Sequence, residues 1–168
     1  MANPMSTLGI IHTVISVVPV IAGLYSFSKY GAILPKTDVG RLYLITIILS
    51  AVTSFGLSST GGFNPGHAIG ILTLLAIVFS MAIGKLGWFG RLNRYLQALS
   101  MSFTFFLLMV PAINETLSRL PPANPIGNGP DSPPVQATTA VWVVIFLVGI
   151  CYQAWSMHRH PTGGAQPA

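Results

Sequence analysis

Residues 42–84 read LYLITIILSAVTSFGLSSTGGFNPGHAIGILTLLAIVFSMAIG, without one Lys, Arg, Asp or Glu. Two apolar runs, Leu42–Ser58 and His67–Gly84, flank a middle built of Gly, Asn and Pro, the composition of a tight turn. Each run approaches the length a helix needs to cross about 30 Å of hydrocarbon. Lipid offers no water to backbone N–H and C=O groups, so a spanning segment must pair them internally as a helix. The stretch is therefore a membrane hairpin.

Three more apolar runs lie outward of it: Thr7–Ser28, Tyr95–Asn114 and Gln136–Trp155. The expected fold is all-α, a single transmembrane domain of five helices filling the 168 residues. Composition agrees. Hydrophobic residues make up 52% and charged residues only 7%, against about 25% charged in a soluble domain. The apolar run from Leu8 to Phe27 is longer than a signal-peptide core and has no basic residue ahead of it, so it reads as a retained first span. Pro19 and Pro111 fall inside spans, where kinks are expected. The single cysteine, Cys151, permits no intrachain disulfide.

Orientation follows from the basic residues. Lys29, Lys36 and Arg41 follow span one, Lys85, Arg91 and Arg94 follow span three, and Arg159 follows span five. Of the 8 basic residues only Arg119 lies in the alternate gaps. The side rich in Lys and Arg is the cytoplasmic one, which places the N-terminus outside and the C-terminus inside. Arg41, Lys85 and Arg91, with Tyr43, are the expected headgroup anchors. Tyr30, Trp88, Phe89, Tyr95, Tyr152 and Trp155 would complete an inner aromatic belt. The Pro- and Gly-rich segment 121–134 is an extended outer loop, and 158–168 is a polar tail.

Small residues mark expected packing surfaces. Ser50/Ser54/Ser58 and Ala76/Ser80/Gly84 each recur at every fourth position, and such ridges let helices approach closely in lipid. Spans two and three are expected to meet along them. A weak internal repeat is also legible. A His opens a helix (His12, His67), a Lys-x-Gly closes it (Lys29–Gly31, Lys85–Gly87), and a Gly-Arg-Leu opens the returning helix (Gly40–Leu42, Gly90–Leu92). Two tandem helical hairpins related by an axis along the membrane normal would give this pattern. Headgroup anchoring alone would also place Lys, Gly and Arg there.

The stretch from Lys36 to Val78, together with Met101-Ser102 through Asn114–Pro121, resembles an uncharacterised family of predicted bacterial multi-pass membrane proteins. The shared marks are a basic loop, the Gly40-Arg41-Leu42-Tyr43 opening, the Ser54-Phe55 helix end, the Gly62-Phe63 turn and His67 opening the next helix. The chain departs from that pattern at Asp38-Val39 and Tyr95-Leu96-Gln97, where the family carries further histidines. The resemblance implies a membrane bundle, located in the bacterial cytoplasmic (inner) membrane.

His12 and His67 are the candidate site, because ionisable groups at membrane depth are costly and are placed for function. Facing one another, they would ligate a haem b iron, hold another metal of unspecified kind, or hydrogen-bond a quinone. The plainer alternative is that each caps or cross-links helices near the headgroups. Asn114 and Glu115 would form the polar rim of that outer site; Glu115 can instead pair with Arg119 one turn on. His158 and His160 belong to the solvated tail. No phosphate-binding Gly loop, Cys/His metal spacing or nucleophile with a triad is present, so no catalytic residue is assigned and the chain offers no enzyme signature. No basic stripe interleaved with aromatics suggests nucleic acid. The expected partners are the lipid bilayer and either a membrane protein or a second copy. Two functions follow: a cofactor-, quinone- or lipid-binding bundle, or a non-catalytic membrane subunit or scaffold. The orientation has a direct check: reporters fused after Gly62 and after Gly87 should read outside and inside, and the reverse result overturns it.

Overall fold

In a computed structural model, residues 6–57, 62–87 and 89–159 are described. Among them the chain is all-helical: α1 (Thr7–Tyr30), α2 (Asp38–Ser54), α3 (Pro65–Leu86), α4 (Leu92–Arg119) and α5 (Pro133–Arg159). Four of these, all but α2, are long and apolar enough to cross a membrane, which makes the chain an integral membrane protein. The 17-residue α2 is about 25 Å long and falls short of a full bilayer core.

Local signals explain the helix ends. Ser6 caps α1 by accepting from Gly9 N, and Thr37 caps α2 by accepting from Gly40 N. The second cap shifts α2 four residues earlier than the run of apolar residues suggests, from Leu42–Ser58 to Asp38–Ser54. The acidic Asp38 in its first turn suits the positive helix end. The helix then closes in single turns, with Phe55 N, Gly56 N and Leu57 N donating to carbonyls three residues back. α1 and α3 end alike, at Gly31 (φ 68°) and Gly87 (φ 65°), a left-handed conformation that glycine adopts without a Cβ clash. The Lys-x-Gly pattern read from sequence is thus a shared helix stop. Both α1 and α4 run continuously through their prolines.

Packing produces a ring with one outlier. α1 packs along α2, α2 touches α3, α3 packs along α4, and α4 returns to α1. α5 lies outside this ring, against α4. The core is Ala22, Ile33, Tyr43, Ile47, Ile77, Met101, Phe105 and Leu108, with Trp142 of α5 packed at its edge. On α5 only Val135 and Gln153 are buried. The 121–134 loop folds back on the end of α4: Gly127 N donates to Leu117 O at 2.9 Å and Gly129 N to Ser118 Oγ at 3.0 Å. Its last two residues, Pro133 and Pro134, open α5.

Two expectations need correcting. The small-residue ridges do mark helix contacts, but not with each other. Ser50 Oγ meets Ser16 Oγ of α1 at 2.6 Å, and Ser80 Oγ donates to Gln97 O of α4 at 3.3 Å. At Gly84 an added methyl would lie against the Gln97 amide, again on α4. Only Ser54 faces α3, where a methyl on Gly70 would sit 3.0 Å from its Oγ. Ser58 lies outside the described residues. Nor is Tyr43 a headgroup anchor. The earlier start of α2 carries it more than a turn inside the helix, where it is fully buried and its hydroxyl bonds Thr104 Oγ1 at 2.8 Å. Arg41, Lys85 and Arg91 are exposed, while Trp88 lies outside the described residues.

α1 approaches α4 closely at Gly23, where a Cβ would lie 2.5 Å from the Phe105 ring. Gly149 on α5 has nothing within 4 Å of that position. Gly23→Leu should therefore lower the thermal midpoint in detergent, by an overpacking cost of about 1–3 kcal/mol, whereas Gly149→Leu should leave it unchanged. Equal midpoints would show that α1 and α4 do not pack as described.

Candidate functional site at the histidine end of the bundle

The start of α1 and the end of α2 are joined by side chains that apolar surroundings oblige to pair. His12 Nδ1 lies 2.9 Å from Thr53 Oγ1. The Thr53 hydroxyl proton is directed at Leu49 O (2.8 Å) and Ser50 O (3.0 Å). Thr53 Oγ1 is therefore free to accept, and His12 Nδ1 carries a proton that it donates. Ser16 Oγ donates to His12 O at 2.7 Å and meets Ser50 Oγ at 2.6 Å, which leaves only a 3.4 Å approach to His12 Nε2. His12 Nε2 thus keeps its lone pair.

His67 is fixed the other way. Asn64 is the N-cap of α3, its side chain accepting from His67 N at 3.0 Å and its own N–H donating to His67 Nδ1 at 3.4 Å. This is a capping box in which imidazole takes the place usually held by Glu or Gln. The nitrogen that accepts a backbone N–H cannot itself be protonated, so in the neutral ring the proton sits on Nε2. That Nε2 is buried and has no hydrogen-bond partner among the described residues. The residue as a whole is 8% exposed, with Phe55 and Phe63 ring centroids each 5.7 Å from the imidazole. An unpaired buried donor costs about 1–3 kcal/mol. The two histidines, which look equivalent in sequence, present opposite chemistry: an acceptor nitrogen on His12 and an orphaned donor on His67.

The rim residues are satisfied along their own helix. Arg119 Nε pairs with Glu115 Oε2 at 2.5 Å, and Asn114 Oδ1 accepts from Ser118 Oγ at 3.4 Å. Both members of the ion pair are partly exposed, which limits its worth to a few tenths of a kcal/mol, about 0.3–0.5 for such a spacing. No hydrogen bond or ring contact joins His12 to His67, and no group of three or more His, Cys, Asp or Glu converges among the described residues.

These bonds test the haem reading. Ligation of one iron by two neutral imidazoles needs a lone pair on each ligating nitrogen. His12 Nε2 has one. On His67 the only lone pair is on Nδ1, already facing the Asn64 N–H. The residues present do not fit a haem held between His12 and His67.

Sequence reasoning missed a second set of polar residues, at the opposite end of the bundle. Ser102 Oγ donates to Gln153 Oε1 at 2.9 Å, and Gln153 Nε2 donates to the carbonyl of the α1 stop residue Gly31, also at 2.9 Å. Gln153 is 5% exposed. Its signal was available: it is an uncharged amide inside a run of apolar and aromatic residues, where an unpaired amide would be costly. Arg94 also donates to Met157 O at this end.

No protein-family model matches the chain, and no curated protein or solved structure does either.

The tautomers can be read directly. Nitrogen-15 spectra of histidine-labelled protein should show an Nδ1–H resonance for His12 and an Nε2–H resonance for His67, each assigned by loss of its signals in the alanine variant. The same tautomer at both sites would break the assignment.

Proposed function

We propose that the chain is a membrane bundle with all five helices embedded, N-terminus outside and C-terminus inside, that binds an amphiphile at its outer end. The headgroup would be a planar ring bearing a carbonyl, the chemistry of a membrane quinone. The observation that carries this reading is the buried, unpartnered His67 Nε2. A donor left over in an apolar surround is a site-specific demand for an acceptor. The flanking Phe55 and Phe63 supply aromatic faces for a flat ring. Phe63 itself is 73% exposed, so it is the side chain that turns aside to admit a headgroup. The role of His12 in this reading is to fasten α1 to α2 beside the site through Thr53. The seven-to-one division of basic residues supports the orientation, and the composition and resemblance described above support a bacterial cytoplasmic membrane. No bond making or breaking is assigned to the site.

One observation favours a second reading, a non-catalytic subunit. Nearly the whole circumference of α5 is exposed, including Val141, Val144, Val148 and Tyr152 at 58–64%. Such a surface would suit either lipid or a partner helix.

One experiment separates the two. Purified protein is extracted with organic solvent and the extract analysed by mass spectrometry, for the native chain and for His67→Phe. The ligand reading expects a stoichiometric quinone-type amphiphile in the native extract, reduced at least about tenfold in the variant (the loss of one buried donor, about 1.4 kcal/mol or more). An extract without such a molecule, or one unchanged by the substitution, refutes it and leaves the subunit reading. A visible spectrum of the same sample, without a Soret band, would agree with the histidine tautomers.

A further inference from the structure

We infer that the groove between α1 and α2 binds an anionic phospholipid, at the end of the bundle opposite the histidines and independently of them. The groove has a volume of about 300 Å³ and is lined by Val18, Ile21, Ala22, Tyr25, Val39 and Leu42. Its α1 wall runs from Val18 to Tyr25, about 10 Å along the helix axis. Its α2 wall begins at Val39, the second residue of that helix, so the groove opens where α2 starts and α1 ends. An acyl chain lying in it would run from that opening toward the bundle middle, gripped by two helices.

At the opening stands a cation. Lys29 occupies the last turn of α1, and its Nζ donates to Tyr25 Oη at 3.3 Å. The same ammonium lies 5.5 Å from the Tyr25 ring centroid and 5.3 Å from that of Tyr30. Two tyrosines thus steer an otherwise floppy side chain to the mouth of the groove. Lys29 is exposed and takes part in no ion pair among the described residues. Asp38, the acidic residue at this end, is 3.8 Å from Arg41. Lys29 therefore keeps an uncompensated charge and free N–H donors beside an apolar slot, a pairing that matches a phosphate-bearing headgroup on a hydrocarbon tail. A zwitterionic headgroup would bring its own positive charge to the same place.

A second apolar groove, of about 490 Å³, serves as a contrast. It is lined by Leu147, Val148, Cys151, Tyr152 and Trp155, all of α5, so a chain on it would be held from one side only. The nearby Arg159 is stacked 4.4 Å over Trp155.

The test uses the full chain in phosphatidylcholine nanodiscs, with phosphatidylglycerol of identical acyl chains added and bound lipid counted by native mass spectrometry. The native protein should retain phosphatidylglycerol over phosphatidylcholine about fivefold, the worth of one basic residue near a headgroup. Lys29→Gln should abolish the preference, Lys29→Arg should keep it, and Lys36→Gln, outside the groove, should leave it unaltered. Val18→Trp, which fills the slot, should reduce retention of both lipids; circular dichroism confirms that each variant is folded. Equal retention of the two lipids by the native chain overturns the inference, as does a preference that survives Lys29→Gln. A preference lost equally in Lys36→Gln would overturn it as well, since general attraction to a basic loop would then suffice.

Discussion

Hydrocarbon gives a polar side chain no partner, so one inside the bundle is costly unless another part of the protein answers it. Some of the answers stay within one helix, as from Thr73 to Ile69 O, but several come from different helices and so double as the fastening. Ser16 to Ser50 joins α1 to α2, Tyr43 to Thr104 joins α2 to α4, and Ser80 to Gln97 joins α3 to α4. Ser102 to Gln153 to Gly31 ties α4, α5 and the end of α1 in one chain of bonds. Each is modest, near 0.6 kcal/mol on average for such bonds in a membrane. Their value is in rotation: an apolar helix surrounded by lipid has no other strong reason to turn one side inward.

That same point explains what could and could not be read from the residues. Helix number and the side on which charges gather depend on composition along the chain, and both were legible. The inward face of each helix was not, because α1, α2, α3 and α5 are apolar all round and carry little amphipathic signal. Ser50 and Ser80 were recognised as contact positions but given the wrong neighbours for this reason. Tyr43 went astray because a Tyr beside Arg41 looks interfacial until the Thr37 cap is allowed to move the helix start.

The histidines show a finer limit. Their depth and spacing suggested equivalence, yet their function depends on which nitrogen holds the proton, and that depends on neighbours. For His67 the neighbour was within reach of sequence reasoning, since Asn64-Pro65-Gly66-His67 has the spacing of a capping box. For His12 it was not, since Thr53 lies 41 residues away and meets it only once α1 and α2 are packed. The groove between α1 and α2 has the same character: Val18 and Val39 are ordinary apolar residues until two helices set them side by side.

The position of α5 bears on how the protein is made. The ring of α1 to α4 closes through its own contacts, and α5 adds to its outside. A nascent chain emerging N-terminus first thus has every helix of the ring before Pro133 is synthesised. The last helix then arrives at a surface already formed, where Ser102 and the Gly31 carbonyl wait for the amide of Gln153. Until that moment Ser102 retains its bond to Ala98 O within α4, so one of the two groups is provided for during the interval. Assembly can proceed in two stages, the late one fastened by the Gln153 amide, by Trp142 Nε1 donating to Phe106 O at 3.2 Å and by Arg94 donating to Met157 O.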